Sequence, residues 1–310
     1  MDQAQRFARD FGVSSDHFAL VRDLLERGGP SREEHGLFVG WLNETAELIR
    51  RGELYLPDVH LFWTDLGDQY LDGCLQGRVL ARRSGYAGDF AIMEDIYRYT
   101  IATDPRFQNW DLFFQGQAAP RAVRNRPGYF HAVVAAAARR SGREPRVLVL
   151  GCGPARDIAT CTSAVVGSRA RFVAVDRDAR ALARAREICT EHGVDADFVS
   201  ANVVTFDPDQ RFDVIWSAGL FDYLSDRLFV RLVRRYARSL SPTGQIVIGN
   251  FQTHSTRNYM ELVGNWSLNY RTAERLGELA GEAGSPADGH VVGAEAEGVN
   301  LFLHINAFSE

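Results

Sequence analysis

Apolar positions in the first third of the chain recur at helical spacing. In "SSDHFALVRDLLERG", Ser14 or Ser15 can cap a helix whose face carries Phe18, Val21 and Leu25, with Leu24 beside them. Gly28 and Gly29 stop it. The stretch "REEHGLFVGWLNETAELIRRG" predicts a second helix, with Leu37, Trp41, Leu42, Ala46 and Ile49 on its apolar face. Further helices are expected over roughly Leu61–Arg82 and Phe90–Thr100. Strand-like alternation is missing from this region.

The texture changes near Pro127. "RPGYFHAVVAAAARRSGREP" predicts a helix ended by Ser-Gly and Pro145, and Val147 to Leu150 then form a short continuous apolar run, as a buried parallel strand requires. From there strand and helix patterns alternate. "ARFVAVD", "ADFVSAN", "FDVIWSAG" and "GQIVIGNF" read as strands, with "ARALARAREICTEHG" and "DRLFVRLVRRYARSL" as helices between them. That alternation predicts an α/β unit with a parallel sheet covered on both faces. The last segment, "HVVGAEAEGVNLFLHINAF", holds two apolar runs around a Glu/Gly stretch and predicts an antiparallel hairpin closing the sheet.

Composition changes little in this picture. With 45% hydrophobic and 24% charged residues, the 310-residue chain is an ordinary globular sequence, long enough for one large domain or two smaller ones. Its net charge of -5, without a long basic stretch, argues against a nucleic-acid partner. Cys74, Cys152, Cys161 and Cys189 form no C-x-x-C pair and no zinc-site spacing, so no metal is expected and four reduced thiols are. The N-terminal Met-Asp-Gln-Ala-Gln-Arg lacks the basic start and apolar core of a signal peptide, and no apolar run reaches the length of a membrane span. The expectation is a cytoplasmic protein with no membrane partner.

Chemistry concentrates after the first strand. Gly151, Gly153 and Asp157 stand where a helix should begin, and glycines there let a ligand approach the backbone. The next strand ends in Asp176, followed by Arg177, and an acid at that place can accept both hydroxyls of a ribose. NAD and S-adenosylmethionine both fit this much. Three observations separate them. Gly153 is followed by Pro154 and Ala155, so the third glycine of a pyrophosphate-binding turn is missing. Asn202 and Val203, after the third strand, could hold an adenine edge. The sheet is expected to end in a hairpin and not in a second mononucleotide half.

Together these features resemble the class I S-adenosylmethionine-dependent methyltransferases. "GYAGDFAIMEDIY" (Gly85–Tyr97), "LGCGPARD" (Leu150–Asp157), "SAGLFDYLSD" (Ser217–Asp226), "GNF" (Gly249–Phe251) and "NWSLNYRT" (Asn265–Thr272) resemble a narrower bacterial subgroup, associated with 3-hydroxy-fatty-acid methyl ester biosynthesis. "GYAGDF" and "AGLFDYL" are its distinctive segments. The resemblance implies a Rossmann-like methyltransferase core with a C-terminal antiparallel hairpin, at residues 127–310, and an N-terminal all-helical substrate or lid domain at 1–126. It implies S-adenosyl-L-methionine as cofactor, held by Gly151, Gly153, Asp157, Asp176, Arg177, Asn202, Val203, Ser217 and Gly219. An NAD-dependent oxidoreductase and a non-catalytic binding module are the competing classes.

The methyl acceptor is expected to be a small molecule at the carboxyl ends of the strands, between the two domains. Tyr86, Asp89 and Asp222 are the catalytic candidates, and Tyr86, Asp89, Tyr223, Asn250, Glu261, Trp266 and Tyr270 the acceptor-binding ones. Each has a plainer alternative. Asp89 can cap the helix "FAIMEDIYRY", Asp222 can brace its loop, Tyr223 can merely cover the adenine, and Asn250 can be a strand-end turn residue. Glu261, Trp266 and Tyr270 can share one helical face that only packs. Acids (Asp89, Glu94, Asp95, Asp222, Glu261) with aromatics suit a cationic acceptor, a guanidino or amino group such as that of free arginine, in a biosynthetic pathway. Arg271, the main cation nearby, and the subgroup resemblance point instead to O-methylation of a hydroxy-acid carboxyl. The sequence leaves the acceptor, the pathway and the oligomeric state open.

Overall fold

A computed structural model describes residues 15–308. Ser14 and the N-terminal Met1–Arg6 lie outside the described residues. Contacts group the rest into two units: the residues up to Pro120 with Ser255–Ser267, and Arg121–His254 with Leu268 onward.

The first unit is helical. It holds α1 (Ala19–Glu26), α2 (His35–Arg50), α3 (Leu56–Thr64), α4 (Asp68–Gly73), α5 (Leu75–Ala81), α6 (Phe90–Arg98) and α7 (Pro105–Gly116). The helical stretch expected over Leu61–Arg82 is broken twice. Gly67 takes a positive φ of 79° before α4, and Cys74 is extended between α4 and α5. The buried face of α2 is Phe38, Trp41, Leu42 and Thr45, while Leu37, expected inside, is 61% exposed. Aromatic packing sets that rotation: Phe38 stacks on Trp41 at 5.9 Å and meets the edge of Phe113 at 5.0 Å. Ser255–Ser267 joins this unit through the Tyr259 ring, 5.0 Å from Phe113, and through the Glu261 carbonyl, which His60 Nε2 meets at 2.7 Å.

Helix α8 (Ala118–Ser141) starts well before Pro127, which lies inside it and leaves the Val123 carbonyl without its helical donor. The sheet unit then follows the expected alternation: β1 (Arg146–Leu150), α9 (Arg156–Ala159), α10 (Ser163–Val166), β2 (Arg171–Asp176), α11 (Ala179–Glu191), β3 (Ala196–Ser200), β4 (Phe212–Ser217), α12 (Asp226–Ala237) and β5 (Leu240–Phe251). After α13 (Arg257–Leu262), which belongs to the helical unit, come α14 (Ala273–Glu282), β6 (His290–Ala294) and β7 (Asn300–Asn306). Strand order is β3-β2-β1-β4-β5-β7-β6, parallel up to β5 and antiparallel at β7 and β6. This is the Rossmann-like methyltransferase fold with a closing hairpin.

Both faces of the sheet are buried, which is why β1 reads as unbroken apolar residues. Leu148 and Leu150 pack toward Phe229, Leu232, Val233 and Tyr236 of α12 and Leu276 and Leu279 of α14. Val147 and Val149 pack toward Phe130, Val133 and Val134 of α8 and Ala185 and Ile188 of α11. Strand order reverses between β1 and β4, so the ligand crevice of such a sheet opens beyond Leu150 and Ser217. Among the described residues no helix is long and apolar enough to cross a membrane.

Candidate functional site

The turn after β1 is built from backbone. Gly151 and Gly153 take φ of 65° and 52°, in the left-handed region where a side chain is strained. Gly151 and Cys152 donate their N–H groups to the Val175 carbonyl at 2.8 and 3.1 Å, which ties the turn to the end of β2. Nothing stands within 4 Å of the place a Cβ on Gly153 would take, so that face of the turn is open. Asp176 closes the cradle. Its Oδ2 accepts from Gly153 N at 2.9 Å and its Oδ1 from Asp178 N at 2.9 Å. A carboxylate has about four lone-pair sites, so each oxygen keeps capacity for a ribose hydroxyl. Arg177 beside it is exposed.

The remaining cofactor candidates surround this turn. Asp157, in the first turn of α9, is buried and accepts the Trp216 indole N–H at 2.9 Å, joining α9 to β4. Ser217 donates its hydroxyl to the Leu150 carbonyl at 2.9 Å, joining the ends of β4 and β1. Asn202 is exposed and accepts from Val204 N at 2.9 Å, while Val203 is buried with its carbonyl taken by the Tyr236 hydroxyl at 2.7 Å. Gly219 leaves room for a side chain that the sequence reading passed over: a Cβ there would lie 2.9 Å from Arg126 Nη1. An open backbone turn, an acid at the end of β2 and an apolar residue with a polar neighbour after β3 are the donor set a nucleoside with an amino-acid tail needs, and S-adenosylmethionine fits it.

The ends of β4 and β5 hold a buried polar network. Asp222, 2% exposed, accepts Phe251 N through Oδ1 at 2.7 Å, and its carbonyl accepts Asn269 N at 2.7 Å. Burial pushes its carboxyl up to about 7, and the nearby Arg126 charge, the Phe251 amide and Arg271 oppose that rise. Asn250 is fully buried. Its amide donates to the Phe251 and Asn269 carbonyls at 2.9 and 3.0 Å and accepts from Arg271 Nη1 at 2.6 Å. Arg271 also donates to the Phe221 and Leu224 carbonyls and pairs with Asp226 at 2.9 Å. The strand-end alternative for Asn250 thus describes its bonding, and Arg271 is a clamp on the loop. Tyr223, on the short turn Phe221–Tyr223, is 44% exposed, and Tyr270 meets the edge of the His254 ring at 5.7 Å.

Other acceptor candidates fall in the helical unit. Asp89 is the N-cap of α6, with Oδ1 accepting from Ala91 N at 2.9 Å and Ile92 N at 3.0 Å. Tyr86 is half-buried in the turn before it. Glu261 pairs with Arg257 one turn earlier at 2.9 Å. The shared helical face of Glu261, Trp266 and Tyr270 does not exist: α13 ends at Leu262, and Asn265 takes a positive φ of 47°. Trp266 follows that reversal and Tyr270 belongs to the sheet unit.

Residues 147–244 match the methyltransferase domain family model. A search of curated proteins finds no match. Among solved structures, a possible exported protein from Bordetella parapertussis is similar over 90% of this chain and 99% of that one, at 15% identity and a TM-score of 0.63, which shows the fold. Magnesium protoporphyrin IX methyltransferase from Synechocystis, solved with bound S-adenosylhomocysteine, matches 63% of this chain and 89% of that one, at 10% identity and a TM-score of 0.48. A 1,6-didemethyltoxoflavin N1-methyltransferase from Burkholderia thailandensis matches 64% and 86%, at 19% identity and a TM-score of 0.43.

Proposed function

We propose that this S-adenosylmethionine-dependent methyltransferase acts on a small molecule and methylates a nitrogen that carries a proton, in a guanidino or amino group such as that of free arginine. The cofactor supplies a methyl group on a positively charged sulfur, which a nucleophile displaces without a covalent enzyme intermediate. The Gly151–Gly153 turn and Asp157 would hold its tail side, Asp176 and Arg177 its ribose, Asn202 and Val203 its adenine, and Ser217 and Gly219 the floor beyond β4.

The observation that carries the reading of the acceptor is the buried Asp222 carboxyl at the end of β4, one oxygen anchored by the Phe251 amide. The acceptor's N–H proton would pass to this carboxylate as the new C–N bond forms and the C–S bond breaks. A base held near neutrality suits that role, because its deprotonated form is populated and still takes a proton. Tyr223 would cover the acceptor from the same loop. Asp89 is the weaker partner, since its Oδ1 already serves two amides.

A second reading is carboxyl O-methylation of a hydroxy fatty acid, as in the subgroup that "GYAGDF" and "AGLFDYL" resemble. It is favoured by the engagement of the expected acids: Asp89 caps α6, Asp95 pairs with Arg78 at 2.8 Å, and Glu261 pairs with Arg257. The two readings part in one experiment, release of S-adenosylhomocysteine across a panel of amino, guanidino and 3-hydroxy-acid compounds. Turnover on the nitrogen compounds that is lost in Asp222→Asn supports the first. Turnover confined to the hydroxy acids replaces it with the second.

A further inference from the structure

We propose that Arg126 binds a carboxylate: that of the cofactor's amino-acid tail or that of an acidic acceptor. Arg126 is buried, with 6% of its surface exposed. Its Nε donates to Asn300 Oδ1 at 2.6 Å, and Asn300, fully buried, is itself oriented by donating to the Leu301 carbonyl at 2.9 Å. The guanidinium carbon lies 5.1 Å from the centre of the Phe251 ring. Three sides of the group are thus fixed by β5, β7 and α8. The fourth faces Gly219, where Nη1 and Nη2 stand 2.9 and 3.2 Å from the position of an added Cβ.

These two terminal nitrogens donate to no acceptor among the described residues. Asp222 lends a charge at longer range but makes no ion-pair contact with Arg126, and its anchored oxygen is turned to the Phe251 amide. A mostly buried guanidinium whose terminal N–H groups meet no protein acceptor is completed most favourably by an anion. The fork of parallel N–H bonds matches a planar carboxylate. A phosphate would call for further cations, and Arg271, the next buried one, is already committed to Asp226, two carbonyls of the loop and Asn250. Gly219 lies in the loop just beyond the end of β4 at Ser217, so the fork stands where ligands of such a sheet bind. Specifying a carboxylate at this point rests on S-adenosylmethionine occupying the Gly151–Gly153 turn.

The test is calorimetric titration of the full chain with two probes that share the adenosine end, S-adenosylhomocysteine and 5′-methylthioadenosine. Only the first has a carboxylate. Arg126→Met should weaken S-adenosylhomocysteine at least tenfold and change 5′-methylthioadenosine less than twofold. If both are unchanged, free arginine and 3-hydroxydecanoate are titrated onto the S-adenosylhomocysteine complex, and loss of either in Arg126→Met assigns the fork to the acceptor. Arg126→Lys keeps the charge and removes the fork, and covers the case in which the Met variant does not fold. It should show a smaller loss of the same kind. No change for any probe in the folded variants overturns the proposal. A wild-type protein that binds neither adenosine probe overturns the cofactor reading with it.

Discussion

Single side chains carry two of the strongest expectations. Asp176 is placed by its bonds to Gly153 and Asp178, with lone pairs left for a ribose. Asp176→Ala should weaken S-adenosylhomocysteine at least about tenfold, roughly 1.4 kcal/mol, and titration that finds unchanged affinity in a folded variant removes the residue from the cofactor site. Asp222 makes a claim about pH. Its folded-state carboxyl is raised to about 7, above the ordinary value near 3.8. Between roughly pH 4 and 7 the folded protein therefore keeps a proton that the unfolded chain releases, and stability falls as pH rises through that window, by at most about 1.4 kcal/mol per unit. Asp222→Asn keeps an oxygen for the Phe251 amide and has no charge to bury, so its melting temperature should lose that part of the pH dependence. Parallel pH profiles of the two proteins would contradict the burial argument. If Asp222 is the base, wild-type turnover also rises as pH passes about 7.

Elements act through the loops between them. Gly153→Val puts a branched side chain into a left-handed turn whose open face is the approach to the ligand, so binding of S-adenosylhomocysteine should be lost while the strands survive. A circular-dichroism spectrum beside a titration separates this from unfolding. The loop after β4 depends on Arg271 instead. Truncating that buried cation removes one donor each from the Phe221 and Leu224 carbonyls and from Asn250, and Arg271→Ala should cost about 1–3 kcal/mol in a urea melt. What was legible in the sequence follows the same division. Strands buried on both faces read as apolar runs, and the glycine turn and Asp176 stood out because they punctuate those runs. Breaks in the helical unit were harder, since Cys74 is extended by its surroundings and not by its residue type. Arg126 was invisible. It sits among arginines on α8, and Asn300, which orients it, lies in the distant hairpin, so no local spacing signals it.

At the scale of the whole molecule the glycine turn, the end of β2 and the loops beyond β3 and β4 all belong to the sheet unit. A ligand that needs them binds the folded sheet and not the unfolded chain. Such a ligand raises stability by RT ln(1 + [L]/Kd), about 2.7 kcal/mol at a hundredfold excess over Kd. A domain of 150–250 residues shifts by roughly 2–4 °C per kcal/mol, so saturating S-adenosylhomocysteine should raise the melting transition of the sheet unit by about 5–10 °C. The helical unit has its own aromatic core of Phe38, Trp41, Trp63, Trp110 and Phe113, linked ring to ring through Phe38 and Trp63. Differential scanning calorimetry therefore has a distinct outcome to look for. If the two units melt separately, S-adenosylhomocysteine should move the transition of the sheet unit and leave the other in place. If they melt together, the single transition should move and Asp176→Ala should abolish the shift at the same ligand concentration. A shift that survives in Asp176→Ala would place the nucleoside away from the end of β2, and with it the floor of the proposed site.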